Sequence, residues 1–167
     1  MADGITIEFE DEEVERLLST ILKRVKNPGK LMRNIERYVK AVTMKMFRGA
    51  RPDTKGVRGQ IWKKLAPSTI ASKAQKRKNG KSIAVHRPLV ETGKLRDSLR
   101  VLRRSKLGFI FGTRVRSKDN FPYPGMHQVG GRNLPKRKFL FLTNQDLQQI
   151  VKMTIDHIKG VVSNGIR

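Results

Sequence analysis

Residues 99–112 read LRVLRRSKLGFIFG, and this stretch decides the fold class. Leu99 and Val101 alternate with a basic outer face of Arg100, Arg103 and Arg104. Ser105-Lys106-Leu107-Gly108 turns the chain, and Phe109, Phe111 and Thr113 then alternate with Ile110, Gly112 and Arg114. Period-two alternation on both sides of a turn predicts a β-hairpin with one face buried. Just upstream, in Pro88 to Ser98, Thr92 is placed to cap a single helical turn with Leu95 pointing inward. Downstream, Phe139-Leu140-Phe141-Leu142 reads as a third strand, whose unbroken apolar run implies burial on both faces.

Outside this sheet the apolar period changes to that of a helix. Val14, Leu17, Leu18, Ile21, Leu22 and Val25 form one stripe, with Glu12, Glu13 and Glu15 in the first turn and Lys23, Arg24 and Lys26 in the last. That order complements the helix dipole at both ends. Asn27-Pro28-Gly29 stops the helix, and a second one is expected over about 30–48 on the stripe Leu31, Ile35, Tyr38, Val39, Val42 and Met46. A short Pro-Gly link between two amphipathic helices predicts an antiparallel helical hairpin packed as a core pair. Ile5, Ile7 and Phe9 alternate as a short leading strand. Thr143 and Asp146 form a capping-box-like pair that opens a last helix with Leu147, Ile150, Val151, Thr154, Ile155, Ile158 and Val162 on one side. The expectation is a single α+β domain over 1–167. Its antiparallel sheet comes mainly from 99–104, 108–115 and 138–142 and packs against amphipathic helices. Residues 1–49 form a strand and helical hairpin, 50–87 a basic arm, and 88–167 the sheet and C-terminal helix.

The arm breaks every period. It holds eleven Lys or Arg and one acid, Asp53. Trp62, Leu65 and Pro67 make a small apolar island, and Ser68 is placed to cap a short helix ending near Lys78 at Asn79-Gly80. Lys73, Lys76, Arg77, Lys78 and Lys81 read as an exposed face, so the arm is expected to be partly ordered and to bind a polyanion or partner. Residues 117–138 form a Pro/Gly-rich loop whose Tyr123, His127 and Gln128 suggest packing rather than a linker.

Charge narrows the function. Of 167 residues, 37 are Lys or Arg and 14 are Asp or Glu, a net +23. Residues 1–15 hold seven of the acids and no Lys or Arg, so the remainder, 37 cations against seven acids, carries +30. Such a field predicts a polyanion or an acidic protein surface as partner. Aromatics are only 6%, so stacking platforms for single strands are sparse. There is no cysteine, which excludes disulfides and thiolate chemistry. No apolar run reaches the length of a membrane span, and the acidic start lacks a secretory n-region, so a soluble, cytoplasmically made protein is expected. His86, His127 and His157 lie in different elements without metal-ligand spacing. The seven acids outside the N-terminus are scattered singly, which gives poor support for a two-carboxylate active site. Gly56-Val57-Arg58-Gly59 lacks the ending of a phosphate loop. No catalytic, cofactor or metal site is expected.

The mild features that remain occur in a telling order. Trp62 precedes Leu65-Ala66-Pro67-Ser68-Thr69-Ile70, and Leu89-Val90-Glu91-Thr92-Gly93-Lys94-Leu95-Arg96-Asp97-Ser98 follows. Then come Tyr123, His127-Gln128 with Gly130, and Pro135-x-Arg137-x-Phe139-Leu140. This set resembles the phage virion morphogenesis, or tail completion, family of Mu-like and related tailed phages. The likeness runs from about Trp62 into the last helix, and the N-terminal hairpin suits it. Pro124 stands where the family often has Ala, and the run Lys73–Lys81 replaces a shorter, less charged stretch.

The resemblance implies a structural virion protein, not an enzyme, that acts late in assembly at the neck where tail meets head. It implies a homo-oligomeric ring contacting other neck and tail proteins, non-specific contact with packaged DNA, and no membrane. Thr92-Gly93-x-Leu95-x-x-Ser98 is expected to be a turn-and-cap device, and His127 and Gln128 to hydrogen-bond loop backbone and hold it to the sheet. Phe139 and Leu140 are expected in the core. The competing class is a basic, non-specific nucleic-acid-binding accessory. A ring of like-charged subunits needs opposite charges at its seams. The acidic start, with Glu10, Glu12 and Glu13, is therefore expected to meet a neighbour's Arg100, Arg103 and Arg104 or its 73–81 run.

Overall fold

The computed structural model describes residues 12–49, 58, 60–80, 83–131 and 133–160. Among them, six helices flank a two-stranded antiparallel sheet, an α+β arrangement with an N-terminal helical hairpin. The expected strand at 5–9 lies outside the described residues, as do Glu10 and Val162.

Helices α1 (Glu12–Lys26) and α2 (Gly29–Gly49) are separated by Asn27 and Pro28. α2 follows its stripe closely. Leu31, Ile35, Val42 and Met46 are buried, with Thr43 and Phe47 beside them. α1 does not follow its stripe inward. None of its residues is buried, and Leu17, Leu18, Leu22 and Val25 are each more than half exposed. Among the described residues, the expected burial of α1 as half of a core pair is therefore not found. α1 instead meets the end of α6 (Asn144–Lys159), where Arg24 Nη1 donates to the Ile158 carbonyl at 3.0 Å and the His157 ring lies 3.2 Å from the Arg24 carbonyl.

β1 (Arg100–Arg104) pairs with β2 (Phe109–Gly112), Arg100 opposite Gly112 and Arg104 opposite Phe109, with a register irregularity between Val101 and Arg103. Ser105 N donates to the Gly108 carbonyl at 2.8 Å to close the turn. The third strand expected at 138–142 is absent. Its backbone groups are satisfied by side chains rather than by a neighbouring strand: Gln128 Oε1 accepts from Phe139 N at 3.1 Å and Leu140 N at 3.2 Å, Gln128 Nε2 donates to the Leu140 carbonyl at 2.5 Å, and Trp62 Nε1 donates to the Lys138 carbonyl at 2.9 Å. A short apolar run locked this way buries Phe139 without joining a sheet.

The core joins distant segments: Met46 and Phe47 of α2, Trp62, Val90, Leu95, Leu99 and Phe139. Phe47 packs edge-on to Trp62 (centroids 6.2 Å apart, 78°) and tilted to Phe139 (5.6 Å, 55°), the arrangements favoured by ring quadrupoles.

In its described part the basic arm contains the expected short helix with Lys76, Arg77 and Lys78 exposed, but it is tied to the body more closely than expected. Residues Pro67–Lys78 form α3, with Pro67 starting it after Ala66 and no side-chain cap, so Ser68 is not the cap. Trp62 is core and Lys73 is 5% exposed. Arg58 is also held. Its guanidinium pairs with Asp146, donates to the Val42 carbonyl at 3.2 Å and lies 4.9 Å from the Phe141 ring centroid. Asp146 in turn accepts from Tyr38 Oη at 2.9 Å and closes the expected capping box with Thr143. Burial alone would raise the Asp146 carboxyl. The Thr143 and Tyr38 hydrogen bonds and the Arg58 charge together hold it below the usual carboxylate range.

Candidate functional site

A cleft of about 860 Å³ opens between the start of α3, the 89–95 turn and the 123–137 segment. Residues from each motif segment line it: Leu65, Thr92 to Leu95, Tyr123, His127, Pro135 and Arg137. The sequence spread these over more than seventy positions, and the fold brings them to one place.

The 92–98 motif builds one wall. Gly93 sits at φ +84°, where a Cβ would lie 2.9 Å from Asp97 Oδ2, so a side chain there would both strain the backbone and clash. Lys94 N reaches the Thr92 hydroxyl at 3.4 Å as the short α4 (Lys94–Asp97) begins. Leu95 enters the core. Ser98 Oγ donates to the Leu95 carbonyl at 2.7 Å and lies 2.6 Å from Thr113 Oγ1, tying the turn to the end of β2. The expected turn is present, but Gly93 rather than Thr92 holds the N-cap position of α4 and no side chain caps it.

The opposite wall contains a helix the sequence reading took for loop, α5 (Tyr123–Val129). Pro122-Tyr123-Pro124 obscured it, yet Pro is well tolerated in the first turn of a helix. Gly130 ends it at φ +88°, pressed against Lys136 so closely that a Cβ would meet Lys136 Cβ at 3.0 Å. Gln128 fulfils its expected role. His127 does so only through its backbone carbonyl, which accepts from Arg137 N at 2.7 Å. Its buried Nδ1 has no hydrogen-bond partner among the described residues, and Tyr123 stands edge-on to its ring. Burial, aided by the Arg137 charge, lowers the His127 pKa and keeps the imidazole neutral.

Two cations lie at the base. Lys73 and Arg137 are each 5% exposed. Lys73 Nζ donates to the carbonyls of Arg87 (2.9 Å) and Val90 (3.2 Å). Arg137 Nε and Nη2 donate to Lys63 O (3.3 and 3.1 Å), and Nη2 also reaches Lys64 O at 3.4 Å. Among the described residues, no carboxylate forms an ion pair with either. The nearby Glu91 is engaged by Lys76 at 2.7 Å. Burial lowers the pKa of both cations. Exposed Lys63, Lys64 and Lys94 add positive charge at the rim.

The other expected interaction residues do not converge here. Arg100 and Arg103 are exposed on β1, whereas Arg104 makes a two-pronged ion pair with Glu36 of α2, both contacts at 2.7 Å. Lys76, Arg77 and Lys78 lie exposed on α3. Glu12 pairs with Arg16 of its own helix at 3.0 Å, and Glu13 is exposed in the same first turn. Among the described residues, no group of three or more His, Cys, Asp or Glu side chains is placed to hold a metal, and no helix is long and apolar enough to cross a membrane.

The sequence profile of the phage virion morphogenesis family matches residues 9–159, nearly the whole chain, and the protein belongs to that family. Comparison with curated proteins and with solved structures returned no match.

Proposed function

We propose that this member of the phage virion morphogenesis family completes the tail and joins it to the head, as one subunit of a homo-oligomeric ring in the virion neck. The observation that carries this reading is α1. Leu17, Leu18, Leu22 and Val25 face outward on a helix with an acidic first turn, on a chain otherwise strongly basic. α6 adds a second uncovered stripe, Leu147, Val151 and Ile155, at 44–56% exposure. Contiguous apolar surface of this kind on a small protein marks an interaction site. Acidic and basic surfaces on different parts of one chain favour a head-to-tail contact between copies, which generates a closed ring when the rotation closes. In this reading the basic faces of α3 and β1 contribute to the seams and to non-specific contact with packaged DNA.

Mass photometry and negative-stain imaging at micromolar protein, with and without duplex DNA, test the proposal. Rings formed without DNA are the expected result. A monomer that shifts only when DNA is added would instead favour a basic nucleic-acid-binding accessory. Any DNA binding is expected to be indifferent to sequence and to weaken steeply with salt, because it rests on phosphate contacts.

A further inference from the structure

The cleft poses a chemical problem that the described residues of its own chain do not solve. A buried charge is ordinarily paired, because removing an ion from water is unfavourable unless an opposite charge or good hydrogen bonds replace the solvent. Lys73 and Arg137 have carbonyl partners but no carboxylate among the described residues. Arg137 Nη1 makes no hydrogen bond among the described residues, and Arg137 lines the cleft. The cleft therefore sets two cations without a carboxylate partner among the described residues beside walls of Leu65, Leu89, Leu95 and Leu134. A nucleic-acid backbone would match the cations and waste these walls. A peptide that alternates carboxylates with apolar side chains would use both.

One segment of this chain has that alternation. Residues 5–11 read Ile-Thr-Ile-Glu-Phe-Glu-Asp. The segment directly precedes α1, which meets its own body near Arg24 and places Glu12 about 18 Å further along the helix, at 1.5 Å per residue. We propose that the cleft receives the acidic segment 5–11 of a second copy of this chain, its carboxylates meeting Arg137, Lys73 and the Lys63 and Lys94 rim while Ile5, Ile7 or Phe9 packs on the leucines. This rests on the homo-oligomeric reading above and gives the head-to-tail contact a socket. It moves the basic partner of the acidic start from the β1 arginines to the motif-lined cleft.

The experiment mixes full-length protein of natural isotopic abundance with uniformly 15N-labelled full-length protein, then treats the mixture with a carbodiimide, which joins a carboxylate to an amine in contact. Mass spectrometry is expected to find Glu8, Glu10 or Asp11 linked to Lys63 or Lys94, with mixed-isotope pairs as abundant as same-isotope pairs. Lys94→Glu, at an exposed position, is expected to lose the links to Lys63 as well while the circular dichroism spectrum is unchanged. Absence of these links, links in same-isotope pairs only, or links to Lys63 that survive Lys94→Glu would overturn the proposal. So would their loss on adding short duplex DNA at physiological salt, which would assign the cleft to phosphate. Mass photometry of the same samples separates the two readings. Rings without these links refute the socket alone, whereas monomers at every concentration refute the ring and the socket with it.

Discussion

The centre of the molecule and its first helix use the same residue types to opposite ends. Around Trp62 and Phe139, apolar side chains from five separate segments close on one another. Along α1, leucines at helical spacing stay more than half exposed among the described residues. α2, which supplies Met46 and Phe47 to that centre, is as regular in sequence as α1, so regularity of pattern says that a face will be covered and not by what. The distinction lies in the neighbours. α2 is held over the core by Tyr38 on Asp146 and by Arg104 on Glu36, whereas α1 is tied to the body near its end through Arg24 and His157.

The contrast is put to its hardest test by truncating one apolar residue in each region. Trp62→Ala or Phe139→Ala is expected to cost about 3–5 kcal/mol in denaturant unfolding. Leu17→Ala in α1 is expected to stay within about 0.5 kcal/mol for the monomer. A comparable loss at Leu17 would mean that α1 is part of the folding core.

Next in size is the Asp146 hub. Removing one partner of a buried ion pair leaves the other uncompensated, so Asp146→Ala is expected to cost about 3–5 kcal/mol. Because the folded carboxyl titrates below its unfolded value, the stability it supplies is complete above the unfolded pKa and is lost as pH falls through the folded one. Acid unfolding curves of wild type and Asp146→Asn are expected to converge at the acid end. Parallel curves would refute the hub.

His127 sharpens the comparison at milder pH. Its folded pKa is lowered by burial, so its contribution is present above the unfolded value of 6.5 and is lost as pH falls towards the folded value. His127→Phe is expected to flatten the stability profile in that window, and an unchanged profile would refute the burial of a neutral imidazole. The smallest effect belongs to the surface. The Arg104 guanidinium holds the Glu36 carboxyl below its usual range, but Arg104 is two-thirds exposed, so Glu36→Gln is expected to cost about 0.2–1 kcal/mol and less in high salt.

The sequence made the helices other than α5, the β-hairpin and the Thr143–Asp146 capping box legible, because period, turn residues and caps are local signals. It also identified the residues of the cleft as a set, through their order along the chain. It did not disclose that they meet, because convergence of Leu65, Gly93, His127 and Arg137 depends on tertiary packing. The third strand failed for a related reason: an apolar run of four cannot reveal whether a strand or a glutamine will satisfy its backbone. Lys73 was misread because lysine is seldom buried, and the Arg87 and Val90 carbonyls that hold it are set by a turn fourteen to seventeen residues away. Its one sequence signal was its position on α3 one turn after Ile70 and next to Ala74, the helix's half-buried residues.

The Tyr38–Asp146 hydrogen bond spans 108 residues, and that span sets a timetable for the newborn chain. At the usual pace of synthesis, about 5–20 s separate the two residues as they leave the ribosome. Until Phe139 and Asp146 have emerged, Met46, Phe47 and Trp62 have no lid and Arg58 no counter-ion. Throughout that interval α1, the first helix made, presents its leucines in the open. α1 is thus complete well before the α6 residues that hold its Arg24 have been made.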